Sequence, residues 1–276
     1  MNSNFVFIND AFFQAGQSAI LVKDLSVQRG YGIFDFFKTV NNRPIFLDDH
    51  LDRFYYSAAH MHLQVSQSRA QLKEILKELM NLNNMPDSGI RITLTGGYSA
   101  DGYNLAEQPN LIITQNSFSI HQHAIDKGIK LVTYNYQRQL SHIKTLDYLT
   151  AIWLQPLIKE NDAEDVLYHN NGVLRECPRA NFFLVTANNE VLTAGDGILK
   201  GITRKKILSL RQTEIPIIEK EITLDELADA KEAFITSTTK NIMPVTTIDG
   251  KSIGNGKLGP LTSKLQELLR LRASQP

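Results

Sequence analysis

The chain has 276 residues, 42% of them hydrophobic, and its 29 basic residues balance its 29 acidic ones, so the net charge is zero. This balance argues against nucleic acid or an anionic membrane as the main partner, and the length allows two domains. The single cysteine, Cys177, excludes an internal disulfide framework. Neither a signal peptide nor an apolar run of membrane-spanning length is evident, so we expect a cytoplasmic protein.

The first half of the chain alternates β-rich and helical patterns. Its predicted strands cover residues 5–10, 28–40, 44–47, 90–95 and 110–115. The apolar spacing predicts two helices, one capped by Asp48-Asp49 and one over 68–81. The loop 96–103 is rich in turn residues, and loops of this kind often form the walls of sites.

The segment 117–127 has no clear periodicity and is the predicted linker. It separates a small α+β domain, 1–116, from a larger domain, 128–276. The strands predicted in the larger domain cover 130–134, 165–168, 181–185, 190–193 and 233–236. Its predicted helices cover 149–154, 201–210, 224–228 and 261–271.

One lysine stands between a predicted strand and a predicted helix of the larger domain. Lys144 follows Ile143 and precedes a run that we interpret as the first turn of a helix. Partial desolvation among such neighbours would lower the pKa of the amine and make it nucleophilic. The pattern alone is more typical of a solvated surface lysine.

Three polar groups could bind a phosphate. Gly201-Ile202-Thr203 at a helix start offers backbone N–H groups, a hydroxyl and the positive end of a helix dipole. Ser237-Thr238-Thr239 adds hydroxyl donors at the end of a strand, and the guanidinium of Arg53 could fork onto phosphate oxygens. Each group also has an ordinary explanation: a capped helix, a polar turn, or an ion pair of Arg53 with Asp49 or Asp52.

Glu176 lies in a largely apolar stretch, so its carboxylate must be either paired with a cation or exposed. His60-Met61-His62 and His121-Gln122-His123 have a spacing that occurs in metal sites. No cysteine or acidic cluster completes either pair, so we expect no metal. Loops typical of nucleotide-binding proteins and the nucleophile elbow of hydrolases are absent from the sequence.

Taken in order, these residues resemble the class IV pyridoxal-phosphate transaminases, which include branched-chain and D-amino acid aminotransferases and aminodeoxychorismate lyase. The resemblance runs from near residue 5 to near residue 270. The matching stretches are residues 50–53, 143–144, 172–176, 181–183, 199–204 and 236–239, followed by 243–245. The resemblance implies a fold-type-IV homodimer, with a smaller N-terminal α+β domain and a larger C-terminal pseudo-barrel domain.

The resemblance also implies a role for each site residue. Lys144 would bind pyridoxal 5'-phosphate as a Schiff base and shuttle the substrate proton, and Glu176 would pair with the pyridine nitrogen. Tyr148 would touch the phenolic oxygen of the cofactor, and Asn181 would support its ring. The residues expected to hold the phosphate are Arg53, Ile202, Thr203, Thr238 and Thr239.

The substrate site departs from the familiar subfamilies. Phe34 stands where well-known bacterial D-amino acid transaminases have a carboxylate-binding tyrosine, and their Arg-x-His pair is missing from 96–103. Arg29 and Arg91 remain as candidate carboxylate ligands, with Tyr31 as a third substrate-binding candidate. Their surroundings resemble a distinct group of D-amino acid transaminases with an arginine pair, in which Arg29 would reach across the dimer interface.

The resemblance therefore implies transamination of a D-amino acid, of the D-glutamate or D-alanine type, with 2-oxoglutarate as acceptor. Two guanidinium groups would suit a dicarboxylate such as D-glutamate or 2-oxoglutarate. An L-branched-chain aminotransferase and an aminodeoxychorismate lyase remain alternatives within the family. Outside the family, the alternative is a cofactor-binding or structural protein without turnover, against which the presence of both Lys144 and Glu176 counts.

Overall fold

The computed structural model of the protein describes residues 4–117, 127–212 and 215–274. Contacts between residues divide this part of the chain into two compact units. The first contains residues 4–117 together with Ile143–Asp147, and the second contains residues 127–142 and 148–274. The predicted linker, 117–127, lies almost entirely outside the described residues, so the domain boundaries stay a prediction. His121 and His123 also lie outside them.

The first unit is an antiparallel sheet with helices. Its strands are β1 (Phe5–Ile8), β2 (Ala11–Gln14), β3 (Gly32–Val40), β4 (Arg43–Pro44), β5 (Ser88–Thr95) and β6 (Leu111–Ser117). They lie in the order β2-β1-β6-β5-β3-β4. The helices are α1 (Leu25–Arg29), α2 (Leu47–His60) and α3 (Arg69–Asn83). The core contains apolar side chains from β3 and β5 and from α2 and α3, among them Ile33, Phe37, Leu51, Phe54, Leu72, Leu76, Ile90 and Ile92.

The helices of this unit differ from the prediction in three places, and α3 ends at Asn83, two residues beyond the predicted end. The N-cap of α2 is Phe46, and Asp48 and Asp49 lie within the first turn, where their charge still favours the helix dipole. Residues 25–29 form a helix, although the sequence pattern predicts a strand from residue 28 onward. This helix has only five residues, too few to show a helical period, and it ends at Gly30 with a φ of 69°.

The second unit contains a mixed sheet of ten strands. These are β7 (Ile129–Asn135), β8 (Asp165–Asn170), β9 (Val173–Leu174), β10 (Glu176–Cys177), β11 (Ala180–Val185), β12 (Val191–Thr193), β13 (Ile217–Glu219), β14 (Glu232–Ser237), β15 (Asn241–Ile248) and β16 (Lys251–Ser252). The main order is β13-β12-β11-β14-β15-β7-β8-β9. Strands β11 and β14 are buried almost throughout, which explains their continuous apolar sequences.

The structure gives the bounds of four α-helices in the described part of the second unit. They are α4 (Leu149–Trp153), α5 (Gln155–Glu160), α6 (Ile202–Leu208) and α7 (Pro260–Ser274). Helices α6 and α7 both pack against β14, and their apolar side chains share one core cluster with β11 and β14. Within the described residues, no helix combines the length and apolarity that crossing a bilayer requires.

Candidate active site

The backbone around Lys144 is fixed by strand β3. The amide of Phe34 donates to the carbonyl of Lys144 at 3.0 Å, and the amide of Leu146 donates to Gly32 O at 3.0 Å. The amide of Lys144 itself donates to the Ser57 hydroxyl on α2 at 3.3 Å. The prediction that Lys144 begins a helix is therefore wrong, because this segment bridges to a strand and α4 begins only at Leu149.

Gly32 makes this bridge possible. A Cβ at this position would lie 2.7 Å from Leu146 Cδ1 and 2.8 Å from the carbonyl oxygen of Leu94. Both contacts are closer than real Cβ atoms show, and one of them involves backbone. Only glycine lets the lysine segment approach the strand this closely.

The side chains of two predicted site residues meet at one aromatic ring. Lys144 is half-buried, and its Nζ lies 4.4 Å from the centroid of Phe34. The guanidinium carbon of Arg91 lies 3.7 Å from the same centroid, and Arg91 Nε donates to Thr93 Oγ1 at 3.2 Å. Cations are attracted to the face of an aromatic ring, so Phe34 organises both groups.

A second lysine, which the sequence did not indicate, lies on β3 with Phe34. Lys38 is only 6% exposed, and desolvation lowers its pKa to about 8. Because side chains two and four residues apart point to one face of a strand, Lys38 shares a face with Phe34. A charged residue inside an apolar strand was the signal that could have found it.

Arg53 is held by a buried carboxylate. Its Nε donates to Asp35 Oδ2 at 2.8 Å and its Nη2 to Asp35 Oδ1 at 2.9 Å, while His50 Nδ1 lies 2.7 Å from Oδ1. Asp35 is fully buried. The alternative that Arg53 forms a surface ion pair with Asp49 or Asp52 is wrong. A two-pronged contact of this kind fixes the plane of the guanidinium.

The charge states in this cluster follow from burial and pairing. Burial pushes the pKa of Asp35 upward, but the Arg53 charge and the hydrogen bond from His50 outweigh it and hold the pKa well below its usual range. Burial lowers the pKa of His50 despite the adjacent carboxylate. An ionised carboxylate can only accept hydrogen bonds, so neutral His50 donates its Nδ1–H to Asp35.

Arg29 lies at the end of α1 and is exposed. Its Nη1 donates to the carbonyl of Gln28 at 3.0 Å. Its Nη2 would lie 3.9 Å from a Cβ placed on Gly102, so the guanidinium is close to the tip of the loop 96–103. The loop and the arginine are therefore neighbours within the first unit.

A buried carboxylate joins α1 to both ends of this loop. Asp24 accepts from Ser26 N at 2.7 Å, which caps the helix. It also accepts from Thr95 Oγ1 at 2.6 Å and from Asn110 Nδ2 at 2.7 Å. Thr95 ends β5 and Asn110 directly precedes β6, so Asp24 fixes the position of Arg29 relative to the loop.

The tip of the loop is ordered by Asp101. Its Oδ1 accepts from the backbone amides of Asn104 and Tyr103, each at 2.9 Å. The hydrogen bond from the Asn104 amide, followed by that from Tyr103, lowers the pKa of Asp101 to about 2. Hydrogen bonds to the Asp101 carboxylate therefore define the conformation of the loop tip.

Tyr31 has a structural contact of its own. Its hydroxyl donates to the carbonyl of Met61 at 2.6 Å, beyond the end of α2. Burial raises the pKa of this phenol, so it stays protonated at neutral pH. Its role in substrate binding stays a prediction.

In the second unit, Glu176 is buried and paired with a cation. Its Oε1 accepts from Arg138 Nη1 at 3.0 Å. Its Oε2 accepts from the amide of Leu199 at 3.1 Å and from Asn181 Nδ2 at 3.4 Å. The sequence left open whether Glu176 is paired with a cation or exposed, and the structure shows that it is paired.

Asn181 links this carboxylate to the start of α6. Its Oδ1 accepts from the amide of Gly201 at 3.2 Å, and a Cβ on Gly201 would lie only 2.2 Å from that oxygen. The register of β11 and β14 places Asn181 opposite Thr236. Asn181 therefore connects Glu176 to the start of α6 and to the end of β14.

The start of α6 and the end of β14 carry the predicted phosphate ligands. Gly201 is the N-cap and provides no capping side chain, so the first N–H groups of the helix, those of Ile202 and Thr203, lack an intrahelical acceptor. The Thr236 hydroxyl is buried and has no hydrogen-bond partner among the described residues. Thr238 is half-buried, and the Thr239 hydroxyl lies 3.2 Å from that of Ser237.

The remaining predictions concern Tyr148 and metal binding. Tyr148 is half-buried at the N-cap position of α4. In the ranges 4–117, 127–212 and 215–274, no group of three histidine, cysteine, aspartate or glutamate side chains is arranged to hold a metal ion.

Comparison with known proteins identifies the family. The profile of the family "Amino-transferase class IV" matches residues 32–248. A D-alanine aminotransferase of Bacillus licheniformis is 32% identical over 273 residues, which cover 96% of this chain and 95% of the relative. The chain belongs to the class IV aminotransferases. The predicted family and enzyme class are thus confirmed.

Solved structures of this family have the same fold. A branched-chain amino acid aminotransferase from Escherichia coli aligns with a TM-score of 0.88 at 22% identity and covers 96% of this chain and 92% of its own. One from Thermoproteus uzoniensis, described with norvaline, aligns with a TM-score of 0.88 at 26% identity and covers 99% of this chain and 95% of its own. The predicted fold class is confirmed.

Class IV aminotransferases depend on pyridoxal 5'-phosphate, as predicted for this chain. The residues present fit this cofactor. The buried carboxylate of Glu176 suits a protonated pyridine nitrogen, and the amine of Lys144 suits the aldehyde. The unpartnered Thr236 hydroxyl and the N–H groups at the start of α6 suit a phosphate.

Proposed function

We propose that this class IV aminotransferase transfers the amino group of a D-amino acid, of the D-glutamate or D-alanine type, to 2-oxoglutarate. The observation that carries the proposal is the placement of Arg91 and Lys144 at the ring of Phe34. A carboxylate bound to the Arg91 guanidinium would lie beside the aromatic ring that Lys144 Nζ also contacts. The similarity to a D-alanine aminotransferase at 32% identity supports the choice of D-amino acids.

Each residue then has a chemical task. Bound pyridoxal phosphate supplies an electron sink that stabilises negative charge at the substrate Cα. Lys144 Nζ moves the proton between that carbon and the cofactor, while β3 and Ser57 keep its backbone in place. Glu176 balances the charge of the pyridine nitrogen, Asn181 holds Glu176, and Tyr148 contacts the phenolic oxygen. The phosphate is held by Arg53, Ile202, Thr203, Thr238 and Thr239.

The substrate class follows from the arginines. Phe34 has no hydroxyl with which to bind a carboxylate, so this task falls to Arg29 and Arg91, with Tyr31 as a third candidate. A dicarboxylate such as D-glutamate or 2-oxoglutarate can engage both guanidinium groups at once. This arrangement favours dicarboxylates over apolar amino acids.

We also propose a cytoplasmic homodimer in which Arg29 contributes to the site of the partner subunit. Large apolar side chains are exposed on both units, and clustered exposed apolar residues typically mark interfaces. Those of the first unit include Leu21, Val22, Val27, Tyr103 and Leu105, and those of the second include Leu149, Ile152 and Trp153. Analytical ultracentrifugation should give twice the chain mass, and a monomer with full activity would contradict the shared site.

The first experiment identifies the lysine that binds the cofactor. The purified protein should bind pyridoxal phosphate and be yellow, and Lys144→Ala should lose the visible absorbance band. Lys38→Met is the matched control. Lys38 is a buried amine with a lowered pKa, and it lies on the face of β3 that carries Phe34, the ring that Lys144 contacts. A protein that takes up no cofactor, or a band lost only in Lys38→Met, would overturn the assignment.

The second experiment tests the substrate. Single-turnover bleaching of the cofactor band is measured with D-glutamate, D-alanine, L-leucine and aminodeoxychorismate. We expect D-glutamate to react fastest. Fast bleaching by L-leucine but not by D-amino acids would favour an L-branched-chain aminotransferase, and release of pyruvate from aminodeoxychorismate would favour the lyase.

The third experiment tests the carboxylate ligands. Arg29→Ala and Arg91→Ala should each raise the half-saturating concentration of D-glutamate by about 10- to 100-fold, the range expected for a lost charged hydrogen bond. The cofactor spectrum should stay unchanged. Arg43→Ala is the control, since Arg43 is an exposed arginine of the same sheet. Wild-type values in both arginine variants would remove the argument for a dicarboxylate site.

A further inference from the structure

The partner of Glu176 is an arginine that the sequence did not indicate. Arg138 follows strand β7 and is only 13% exposed, while the Glu176 side chain is 5% exposed. The same Arg138 Nη1 that donates to Glu176 Oε1 at 3.0 Å also lies 3.2 Å from the carbonyl of Ser141. The guanidinium is therefore fixed by a carboxylate and a backbone oxygen at once.

The two oxygens of Glu176 face different kinds of donor. Oε1 faces the charged guanidinium of Arg138, whereas Oε2 faces the neutral amides of Leu199 and Asn181. Neutral amides orient a carboxylate, but they carry no full charge to offset the cost of burying an anion. The charge of Arg138 supplies that compensation.

Burial without a compensating cation favours the protonated, neutral form of a carboxyl group. A neutral Glu176 could still touch the pyridine ring, yet it could not balance a positive charge on the ring nitrogen. We propose that Arg138 is a positioning residue that keeps Glu176 ionised and correctly oriented, so that the pyridine nitrogen of the bound cofactor stays protonated. The inference rests on the proposed role of Glu176.

Three variants test it in the full-length enzyme. Arg138→Met removes the charge and keeps an unbranched side chain, Arg138→Lys restores a charge, and Glu176→Gln removes the carboxylate itself. Arg179→Met is the control, because Arg179 is exposed and lies in the turn between β10 and β11. Each is loaded with pyridoxal phosphate labelled at the ring nitrogen.

The decisive measurement is the NMR chemical shift of the labelled nitrogen. We expect the shift of a protonated ring in the wild type and in Arg179→Met, and movement toward the deprotonated value in Arg138→Met. The kcat should fall by about 10- to 100-fold in Arg138→Met, as for loss of a charged hydrogen bond, while the KM for the amino donor stays nearly constant. Arg138→Lys should recover part of both the shift and kcat.

The possible failures are distinguishable. A wild-type nitrogen shift and kcat in Arg138→Met, together with a changed shift in Glu176→Gln, would overturn the role of Arg138 alone. An unchanged shift in Glu176→Gln would overturn the role of Glu176 as well. If Arg138→Met does not fold, Arg138→Gln decides, because its amide can still donate to Glu176 Oε1 but carries no charge, and a wild-type nitrogen shift in this variant would overturn the role of the Arg138 charge. Substrate preference is measured separately and does not enter this test.

Discussion

The first unit buries Asp35 against two nitrogens of the Arg53 guanidinium, whereas the contacts of the buried Glu176 in the second unit include Arg138 Nη1 and the amides of Leu199 and Asn181. Both are ion pairs between an arginine and a carboxylate, but the roles of cofactor ligand and supporting residue are exchanged. In the first, the arginine is the proposed cofactor ligand and the carboxylate positions it. In the second, the carboxylate is the proposed ligand and the arginine positions it.

This difference determines how much each contact contributes. The fork between Asp35 and Arg53 uses both carboxylate oxygens, so any change at Asp35 breaks the geometry. Glu176 accepts hydrogen bonds from a guanidinium and from amides on two residues, so the loss of any single donor leaves the carboxylate partly held. We therefore expect the first pair to contribute more to stability and the second to act mainly through the charge of the acid.

Breaking the fork should have the largest effect. Asp35→Asn leaves Arg53, which is only 10% exposed, with a buried and uncompensated charge. The free energy of unfolding should fall by roughly 3–5 kcal/mol, the range for breaking a buried ion pair. Denaturant unfolding should be measured without cofactor, because ligand binding would add to the apparent stability.

Asp52→Asn is the matched control for this prediction. Asp52 precedes Arg53 on the same helix and pairs with Arg69, but both side chains of that pair are exposed. Exposed ion pairs contribute about 0–1 kcal/mol, so this variant should be close to wild type. Equal losses in Asp35→Asn and Asp52→Asn would show that the burial of the first pair has no energetic consequence.

The comparison also shows where sequence reasoning stops. Lys144, Glu176 and the start of α6 could be predicted because their residue types occur in the family's order along the chain. Asp35 and Arg138 could not be predicted as their partners, because such pairings depend on sheet register and on side-chain direction. The strand β3 that carries Asp35 was predicted, yet nothing local indicated which of its polar residues would face α2.

The same limit explains the errors in the lysine segment. Its sequence is compatible with a helical turn, and the bridge to β3 that replaces the turn is a tertiary contact. Gly32 offered a signal, since a glycine at the start of an apolar strand often marks a close approach of another backbone. The partner that approaches could not be read from the sequence.

Glu176→Gln should have a smaller effect on stability than Asp35→Asn. The amide oxygen of glutamine can still accept from Arg138, but its NH2 group would face the Leu199 amide and Asn181 Nδ2, which are both donors. We expect a loss of about 1–3 kcal/mol, the cost of leaving a buried polar group unsatisfied, measured by the same unfolding experiment. A loss as large as that of Asp35→Asn would mean that the two pairs are energetically equivalent.

Asp165 extends the comparison because, among the described residues, no arginine donates a hydrogen bond to this buried carboxyl. Its Oδ2 has no hydrogen-bond partner in the described part of the chain, and Lys240 Nζ lies 3.9 Å away. Burial raises the pKa of Asp165, so the folded protein binds this proton more tightly than the unfolded chain. Its contribution is therefore favourable at low pH and is lost as the pH rises through the folded pKa.

Asp165→Asn should consequently stabilise the protein at pH 7. The gain should be on the order of 1–2 kcal/mol, within the range for burying an unsatisfied polar group. It should shrink as the pH falls toward about 4, where the wild-type carboxyl is also neutral. Unfolding curves at several pH values test this, and a gain that does not depend on pH would exclude titration of Asp165 as its cause.

His50 provides the smallest and most specific test of the Asp35 cluster. Burial lowers the pKa of His50, and the charges of Arg53 and Lys144 act in the same direction against the opposing effect of Asp35. The folded protein therefore binds this proton less tightly than the unfolded chain. The stability that neutral His50 contributes is full above about pH 6.5, the ordinary pKa of histidine, and decreases as the pH falls through the folded pKa.

His50→Gln keeps a hydrogen-bond donor for Asp35 but removes the titration. Between pH 7 and about pH 5.5, the wild type should lose on the order of 1 kcal/mol more stability than this variant, since one proton corresponds to about 1.4 kcal/mol per pH unit. His60→Gln, on the exposed end of the same helix, should follow the wild-type curve. If His50→Gln and the wild type lose stability in parallel, His50 accepts its proton within the folded protein, and the cluster around Asp35 tolerates a second positive charge beside Arg53.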